Sequence, residues 1–162
     1  INNPIVVDYS YAFEGCSSLT SLPSNLFGNA SVSVNNFSYM FANTGLTTLP
    51  TGLFENAVAA TNYNYVFNNT RITSIPTNCF NGSNASSVNS FNKNKLVDIK
   101  DNGLNGLLID DGYFENCTSL INVGDNIINE TFSPIRLFNG CISLRTIGNM
   151  NFSQAKGTDR TF

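Results

Sequence analysis

Residues 13–23, FEGCSSLTSLP, hold the pattern that decides the fold of this 162-residue chain. A phenylalanine opens the stretch, two leucines follow it three residues apart, and a proline closes it. The phenylalanine recurs along the chain at spacings of 28, 26, 24, 23, 24 and 24 residues. These anchors are Phe13, Phe41, Phe67, Phe91, Phe114, Phe138 and Phe162. Periods of about 20 to 30 residues are typical of solenoids in which each repeat forms one coil.

Three further apolar positions keep register with the anchor in every repeat. The first lies five or six residues after the anchor, the second three residues later, and the third five residues beyond that. The first position is occupied by Leu19, Leu46, Ile72, Leu96, Leu120 and Leu144. The second is occupied by Leu22, Leu49, Ile75, Ile99, Val123 and Ile147. The third is occupied by Phe27, Phe54, Phe80, Leu104, Ile128 and Phe152. A single coil cannot bury its apolar side alone, so we expect stacked coils to share one continuous core.

Glycine and asparagine at fixed positions predict two sharp corners in each coil, because both accept left-handed backbone angles. The first corner lies two residues after the anchor, at Gly15, Asn43, Asn69, Asn116 and Gly140, with Lys93 as the exception. The second is predicted two residues after the third apolar position, at Asn29, Asn56, Gly82 and Gly106.

Between the corners, the sequence predicts short parallel strands and short helices. The strands are expected at 18–22, 45–49 and 71–75, each closed by a proline that cannot donate to a ladder. Apolar residues at the anchor and one and four residues before it are typical of one helical face. We therefore expect short helical segments at 9–13, 37–41 and 63–67.

The composition excludes several classes of function. The net charge is −3 without a basic cluster, so we expect no nucleic-acid partner. No apolar run reaches the roughly 20 residues of a membrane span, so we expect no membrane insertion by this segment. The chain has no histidine, which removes Ser-His-Asp and Cys-His pairs and the usual zinc ligand. We expect no enzyme, no cofactor and no metal.

Two groups of reactive side chains leave alternatives open. Cys16, Cys117 and Cys141 share one repeat position, where we expect a small buried residue, although a disulfide between the last two stays open. Cys79 takes a core position. Asp110 and Asp111 form the most acidic spot, which we interpret as a solvated turn, with a calcium site or an acid/base pair as the alternatives.

The candidate binding residues are Tyr11, Tyr39 and Tyr65, which lie two residues before successive anchors. If the segment is helical, this position points away from the buried face, and the rings form an exposed column. The insertions at 28–34 and 57–62 are expected beside it. Tyrosine offers a large amphipathic contact area, which suits protein contact or sugar stacking. The alternative is that the rings only pack on each other along the coils.

The stretch 13–23 resembles the repeat core of BspA-like leucine-rich repeats, as do 114–123 and 138–147 with their Cys117 and Cys141. The resemblance covers essentially the whole chain. It implies an α/β repeat solenoid, a right-handed leucine-rich-repeat coil with one short parallel strand per repeat and a helical or irregular second side. It also implies an extracellular setting, a protein or glycan partner and no catalysis. The longer first three repeats, and Thr44, Thr70 and Asn94 in place of the cysteine, depart from the family pattern.

We therefore expect residues 1–162 to be a single solenoid of about six repeats and a fragment of a longer array. The expected function is non-enzymatic adhesion, or recognition of a protein or glycan on a host or neighbouring cell, at a cell surface. The alternative is a structural or receptor-binding component of a phage virion or a surface filament. Because the last anchor carries no polar cap, end-to-end self-association is also expected.

Overall fold

The fold is built from short parallel strands joined by turns. In a computed structural model, the structure describes residues 6–24, 26–27, 33–80, 85–91, 95–109, 113–127 and 135–150. The described residues contain six short strands. They are β1 (Ser74–Ile75), β2 (Ala85–Ser86), β3 (Asp98–Ile99), β4 (Leu107–Leu108), β5 (Asn122–Val123) and β6 (Thr146–Ile147).

The strands form two parallel sheets whose partners come from successive repeats. The first sheet has the order β1-β3-β5-β6, and its register pairs Ile75 with Ile99, Ile99 with Val123, and Val123 with Ile147. These residues are the second apolar position of four consecutive repeats. The second sheet pairs β2 with β4. Isolated parallel bridges extend the pairing to the earlier repeats. One row joins Asp8 to Asn36, Asn36 to Asn62, and Asn62 to Ser86 of β2, and a separate bridge joins Phe54 to Phe80.

The predicted first-sheet strands form only in part. In the third repeat the strand is limited to Ser74–Ile75, and the stretches 18–22 and 45–49 contain no strand. The first three repeats still pair at this edge, since the Thr47 N–H donates to the Thr20 carbonyl at 3.2 Å and the Thr73 N–H to the Thr47 carbonyl at 3.4 Å. The prolines that follow limit how far the ladder extends.

The prediction of helices before the anchors is wrong, because 9–13, 37–41 and 63–67 are consecutive turns. Backbone N–H groups in 39–42 donate in turn to a carbonyl of the next repeat and to a carbonyl three residues back. Those of Tyr39 and Phe41 donate to Asn64 and Val66 of the next repeat, at 2.9 and 3.0 Å, whereas that of Ala42 donates back to Tyr39 at 3.0 Å. The chain thus interleaves tight turns with a parallel ladder, an arrangement that satisfies the backbone without an α-helix.

The anchor phenylalanines lie one above the next, as predicted. Ring centroids are 5.4 Å apart for Phe13 and Phe41, 5.6 Å for Phe41 and Phe67, and 5.5 Å for Phe67 and Phe91. Phe114 and Phe138 continue the pattern at 5.7 Å. Phe41 and Phe67 are fully buried, whereas Phe13 is 36% exposed, because the first coil has no described neighbour on its outer side.

The first corner is confirmed at every position that the structure describes. The backbone angle φ is +74° at Gly15, +58° at Asn43, +54° at Asn69, +60° at Asn116 and +75° at Gly140. These are left-handed conformations, which Gly and Asn adopt at least cost. Lys93 lies outside the described residues.

The second corner is wrong at Asn56, whose φ is not positive, and right at Gly106, with φ of +77°. The left-handed residues of this side instead come two positions before the third apolar residue. They are Gly52, Asn78, Asn102 and Asn126, with φ between +51° and +66°. The predicted corners at Asn29 and Gly82 lie outside the described residues.

No helix among the described residues is long and apolar enough to cross a membrane.

Candidate functional site: the tyrosine column

Tyr11, Tyr39 and Tyr65, here called the tyrosine column, stack face to face on the surface of three successive repeats. Ring centroids are 4.9 Å apart for Tyr11 and Tyr39 and 4.6 Å for Tyr39 and Tyr65, with interplanar angles of 7° and 8°. Tyr11 is 55% exposed, and the other two are half-buried. The predicted column is therefore present, although turns and not a helix hold it in place.

The three tyrosines occupy the left-handed region of the backbone, with φ between +57° and +59°. A bulky residue is rare there, and left-handed angles cost an L-residue about 1–2 kcal/mol. Each tyrosine is the third residue of a four-residue turn, such as the one closed by the Met40 N–H on the Phe37 carbonyl at 3.2 Å. In the fourth repeat the same position is Asn89, with φ of +52°. Asparagine meets the backbone requirement at lower cost, so the turn alone does not account for tyrosine.

Hydrogen bonds link the hydroxyl groups at the edge of the tyrosine column. The side-chain amide of Asn89 donates to the Tyr65 hydroxyl at 3.1 Å. The pKa of Tyr39 is raised, first by desolvation, then by the neighbouring phenols and the Glu14 carboxylate, and also by its hydrogen bond with Tyr65. The Tyr39 phenol therefore stays protonated at neutral pH, and its hydroxyl group can both donate and accept a hydrogen bond.

The stacking decides which part of each ring a partner can reach. Tyr39 has Tyr11 on one face and Tyr65 on the other, so both of its faces are covered. Sugar stacking uses a free aromatic face, whereas the tyrosine column offers ring edges and hydroxyl groups at the spacing of the coils. Tyr39 can therefore contact a partner through hydrogen bonds and edge contacts, and among the described ring contacts a second face without a ring remains on Tyr11 and on Tyr65.

Polar rows of the same period lie near the tyrosine column in sequence. In one row the side-chain amide of Asn69 donates to Asn43 at 2.9 Å. In a second, the Asn36 amide donates to Asp8 at 3.1 Å. The pKa of Asp8 is lowered, first by the Ser10 side chain, then by the Ser10 N–H, with a smaller contribution from Asn36. The sequence analysis did not predict the second row. The pattern that indicates it is a polar residue five positions before each of the first four anchors.

The insertion at 57–62 is partly buried. Ala57 and Ala60 are buried, Val58 is exposed, and the Thr61 N–H donates to the Asn35 carbonyl at 2.9 Å. The segment therefore ties two repeats together and ends three residues before Tyr65. In the other insertion, residues 28–32 lie outside the described residues.

All four cysteines are free thiols. Cys141 and Cys79 are buried as expected, Cys117 is half-buried and Cys16 is exposed. The Cys141 thiol donates to the Phe114 carbonyl at 3.0 Å. The hydroxyls of Thr44 and Thr70 bond the anchor carbonyl of their own repeat, at 2.8 and 3.0 Å. A small side chain that donates a hydrogen bond to an anchor carbonyl fits this repeat position, which explains why some repeats have Cys here and others have Thr.

Cys117 and Cys141 form an asymmetric pair. The pKa of Cys117 is raised, first by its hydrogen bond with Cys141 and then by burial, whereas the pKa of Cys141 is lowered by the same bond.

The carboxylates of Asp101 and Asp125 accept hydrogen bonds from backbone N–H groups. Asp110 and Asp111 lie outside the described residues. The Asp101 carboxylate accepts the Asp125 N–H at 2.9 Å, and the Asp125 carboxylate accepts the Asn149 N–H at 2.7 Å. Within the described ranges, no three His, Cys, Asp or Glu side chains are grouped to hold a metal ion.

Two open clefts lie away from the tyrosine column. One, of about 370 Å³, is formed by the last described repeat around Phe138, Ile142 and Ile147. The other, of the same size, is polar and is lined by side chains that include Glu55, Asn78 and Asn105. Neither cleft brings together an acid, a base and a nucleophile.

Comparison with protein-family models, with curated proteins and with solved structures finds no match for this chain.

Proposed function

We propose that the chain is a right-handed leucine-rich-repeat solenoid of the BspA-like type, with residues 1–162 as one domain of about six repeats. The parallel register between successive repeats supports the proposal, as does the stack of anchor phenylalanines. The irregular second side, built from turns, agrees with the helical or irregular side expected of such coils. The solenoid is a scaffold that repeats one surface position at each coil.

The proposed function is non-enzymatic binding of a protein or glycan at a cell surface, in an extracellular setting. The single observation that carries it is the tyrosine column, an exposed row of aromatic side chains in a strained backbone conformation. The left-handed conformation recurs at this position in Asn89 and Arg136, so the fold requires it, and tyrosine there accepts a backbone cost that asparagine avoids. Tyrosine is also among the residues that dominate binding energy in protein interfaces.

Of the two partner classes, the geometry favours a protein. A glycan would gain most from stacking on aromatic faces, and the inner ring of the tyrosine column has both faces covered. An extended polypeptide can instead contact ring edges and hydrogen-bond with the hydroxyl groups and with the amides of Asn43 and Asn69. We propose no cofactor, no metal and no nucleic acid as ligand.

The test replaces the tyrosine column by the residue that the fourth repeat has at the same position. A triple variant with Tyr11→Asn, Tyr39→Asn and Tyr65→Asn keeps a residue that accepts left-handed angles, as Asn89 does. Binding is measured to immobilised extracellular-matrix glycoproteins before and after enzymatic deglycosylation. We expect the variant to lose at least about tenfold in affinity, which corresponds to about 1.4 kcal/mol. A protein partner retains wild-type binding after deglycosylation.

The matched control is Val58→Ser, which removes an exposed apolar side chain outside the tyrosine column. Val58 is 57% exposed, close to the 55% of Tyr11. The Val58→Ser variant should bind the glycoproteins with the same affinity as the wild type. Equal binding by the triple variant and the wild type, with both folded, would sink the proposal, and so would the lack of any wild-type binding to the panel.

The second candidate function is a structural component of a virion or surface filament, assembled by end-to-end self-association. The parallel bridges from Asp8 to Asn36 and from Asn36 to Asn62 favour it, because a second copy could continue the same row on the face of the first described repeat that carries Phe13. A second copy of the chain is the partner proposed for this face. Light scattering between about 1 and 100 µM distinguishes the candidates, since self-association raises the mass with concentration. A Phe13→Ser variant should then stay monomeric.

A further inference from the structure

We propose that the tyrosine column is a site of oxidative cross-linking, at which Tyr39 forms a dityrosine bond with Tyr65 or with Tyr11. The co-reactant is hydrogen peroxide, and an enzyme of the peroxidase class carries out the one-electron oxidations of the phenols. The inference uses the same side chains as the proposed function but needs no binding partner, so each can fail without the other.

Placement of the phenols is the first argument. The rings of Tyr39 and Tyr65 are 4.6 Å apart, nearly parallel, and connected through their hydroxyl groups. Those of Tyr11 and Tyr39 are 4.9 Å apart. The site is open to an oxidant, because Tyr11 is more than half exposed and the other two rings are half-buried.

Selectivity within the chain is the second argument. The chain has six tyrosines and no tryptophan, so no indole competes for the oxidising equivalents. The other three tyrosines lie against phenylalanines. Tyr9 packs on Phe27 and Phe37, Tyr63 on Phe37, Phe54 and Phe80, and Tyr113 on Phe114. Among the described ring contacts, Tyr9 and Tyr63 meet phenylalanines, whereas a radical on Tyr39 has a phenol on each face.

The chemistry balances as a two-electron oxidation. Each of two phenols loses one electron and its hydroxyl proton, which gives two phenoxyl radicals. The rings turn towards each other, and a carbon–carbon bond forms between the positions next to the two oxygens. The hydrogen on each joined carbon then moves to the oxygen of its ring and restores both phenols. Hydrogen peroxide takes up the two electrons and two protons and becomes two water molecules.

The bond would join two coils covalently. Tyr11 and Tyr39 are 28 residues apart, and Tyr39 and Tyr65 are 26 residues apart. A cross-link that closes such a loop restricts the unfolded chain and raises stability, as a disulfide does. The proposed site is thus a staple between the first three repeats.

The experiment treats the whole chain with peroxidase and hydrogen peroxide and measures dityrosine fluorescence in the monomer band of a denaturing gel. Cys16 is exposed and is first blocked by alkylation, because its thiol competes for the oxidant. Proteolysis after glutamate cuts at Glu14 and Glu55 and separates the three tyrosines into different peptides, 1–14, 15–55 and 56–115. We expect 15–55 to be joined to 56–115 or to 1–14.

Tyr39→Phe is the decisive variant, since it keeps the ring stack and removes the phenol common to both pairs. At about 10 µM protein, an effective concentration of about 1 mM or more gives neighbouring rings roughly a hundredfold advantage over collisions between chains. The cross-linked monomer should therefore decrease about a hundredfold in this variant and stay unchanged in Tyr9→Phe. Unchanged cross-linking in Tyr39→Phe, or products confined to dimers, would overturn the proposal.

Discussion

Tyr63→Phe should stabilise the protein, which is unusual for a substitution in a tightly packed core. The Tyr63 side chain is fully buried, and its hydroxyl has no hydrogen-bond partner among the described residues. In the preceding repeat the same position is Phe37, whose ring stacks on Tyr63 at 5.3 Å and 8°. Phenylalanine therefore fits the coil at this position, and the substitution removes only the buried oxygen.

The size of the effect follows from the desolvation of that oxygen. A buried polar group without a partner costs about 1–3 kcal/mol. We expect Tyr63→Phe to recover about 1–2 kcal/mol, which for a domain of this size raises Tm by roughly 2–8 °C. The loss of the hydroxyl volume slightly reduces the gain, because it leaves a small void.

Urea and thermal unfolding, followed by circular dichroism, measure the change. Tyr65→Phe serves as the control, because it removes a half-buried surface hydroxyl that accepts a bond from Asn89. That variant should be neutral or slightly less stable. A loss of more than about 1 kcal/mol in Tyr63→Phe would refute the reasoning, because it would show that the hydroxyl is hydrogen-bonded in the folded protein.

Three other substitutions or conditions test the fold. Phe67→Ala should cost about 3–5 kcal/mol in urea unfolding, since it empties a fully buried anchor, and a loss under 1 kcal/mol would contradict its place in the core. Gly45→Ala should cost about 1–3 kcal/mol, because its added carbon would collide with the backbone of the preceding coil, whereas Gly15→Asn should be neutral within about 0.5 kcal/mol. Burial raises the pKa of Tyr63 and of Cys79 above the ordinary values for a phenol and a thiol, so these groups ionise first in the unfolded chain as pH rises. Stability should therefore be constant between about pH 6 and pH 8 and fall above pH 9, and a stability that rose with alkaline pH would contradict this assignment.

Parts of the fold that depend on repetition could be predicted from the sequence. The stack of anchors and the first corner follow from residues that recur in register, such as Phe41 and Phe67, or Asn43 and Asn69. Each repeat places its anchor and its first corner as the neighbouring repeat does, so one correct position predicts the others. The sequence also predicted the stacking of the tyrosine column, because the same residue occurs at the same place in three coils.

Local structure within a coil could not be predicted in the same way. The apolar spacing in 37–41 fits a helical face, yet it fits equally a set of turns in which alternate N–H groups bond to the next coil. The difference lies in hydrogen bonds to residues about 26 positions away, which no local pattern contains. The second corner failed for a related reason. Both Gly52 and Asn56 are plausible left-handed residues, and the sequence does not distinguish between them, whereas in the structure Gly52 has the positive φ.

The most direct test of the central claim is to measure contacts between the anchor rings in solution. With phenylalanine labelled selectively, the nuclear Overhauser effect between ring protons reports which rings are neighbours. Stacked coils predict cross-peaks from Phe41 to Phe67 and from Phe67 to Phe91, whose centroids are 5.6 and 5.5 Å apart, and none directly from Phe41 to Phe91. Missing cross-peaks for the first two pairs, in a folded sample, would contradict the arrangement of one coil upon the next.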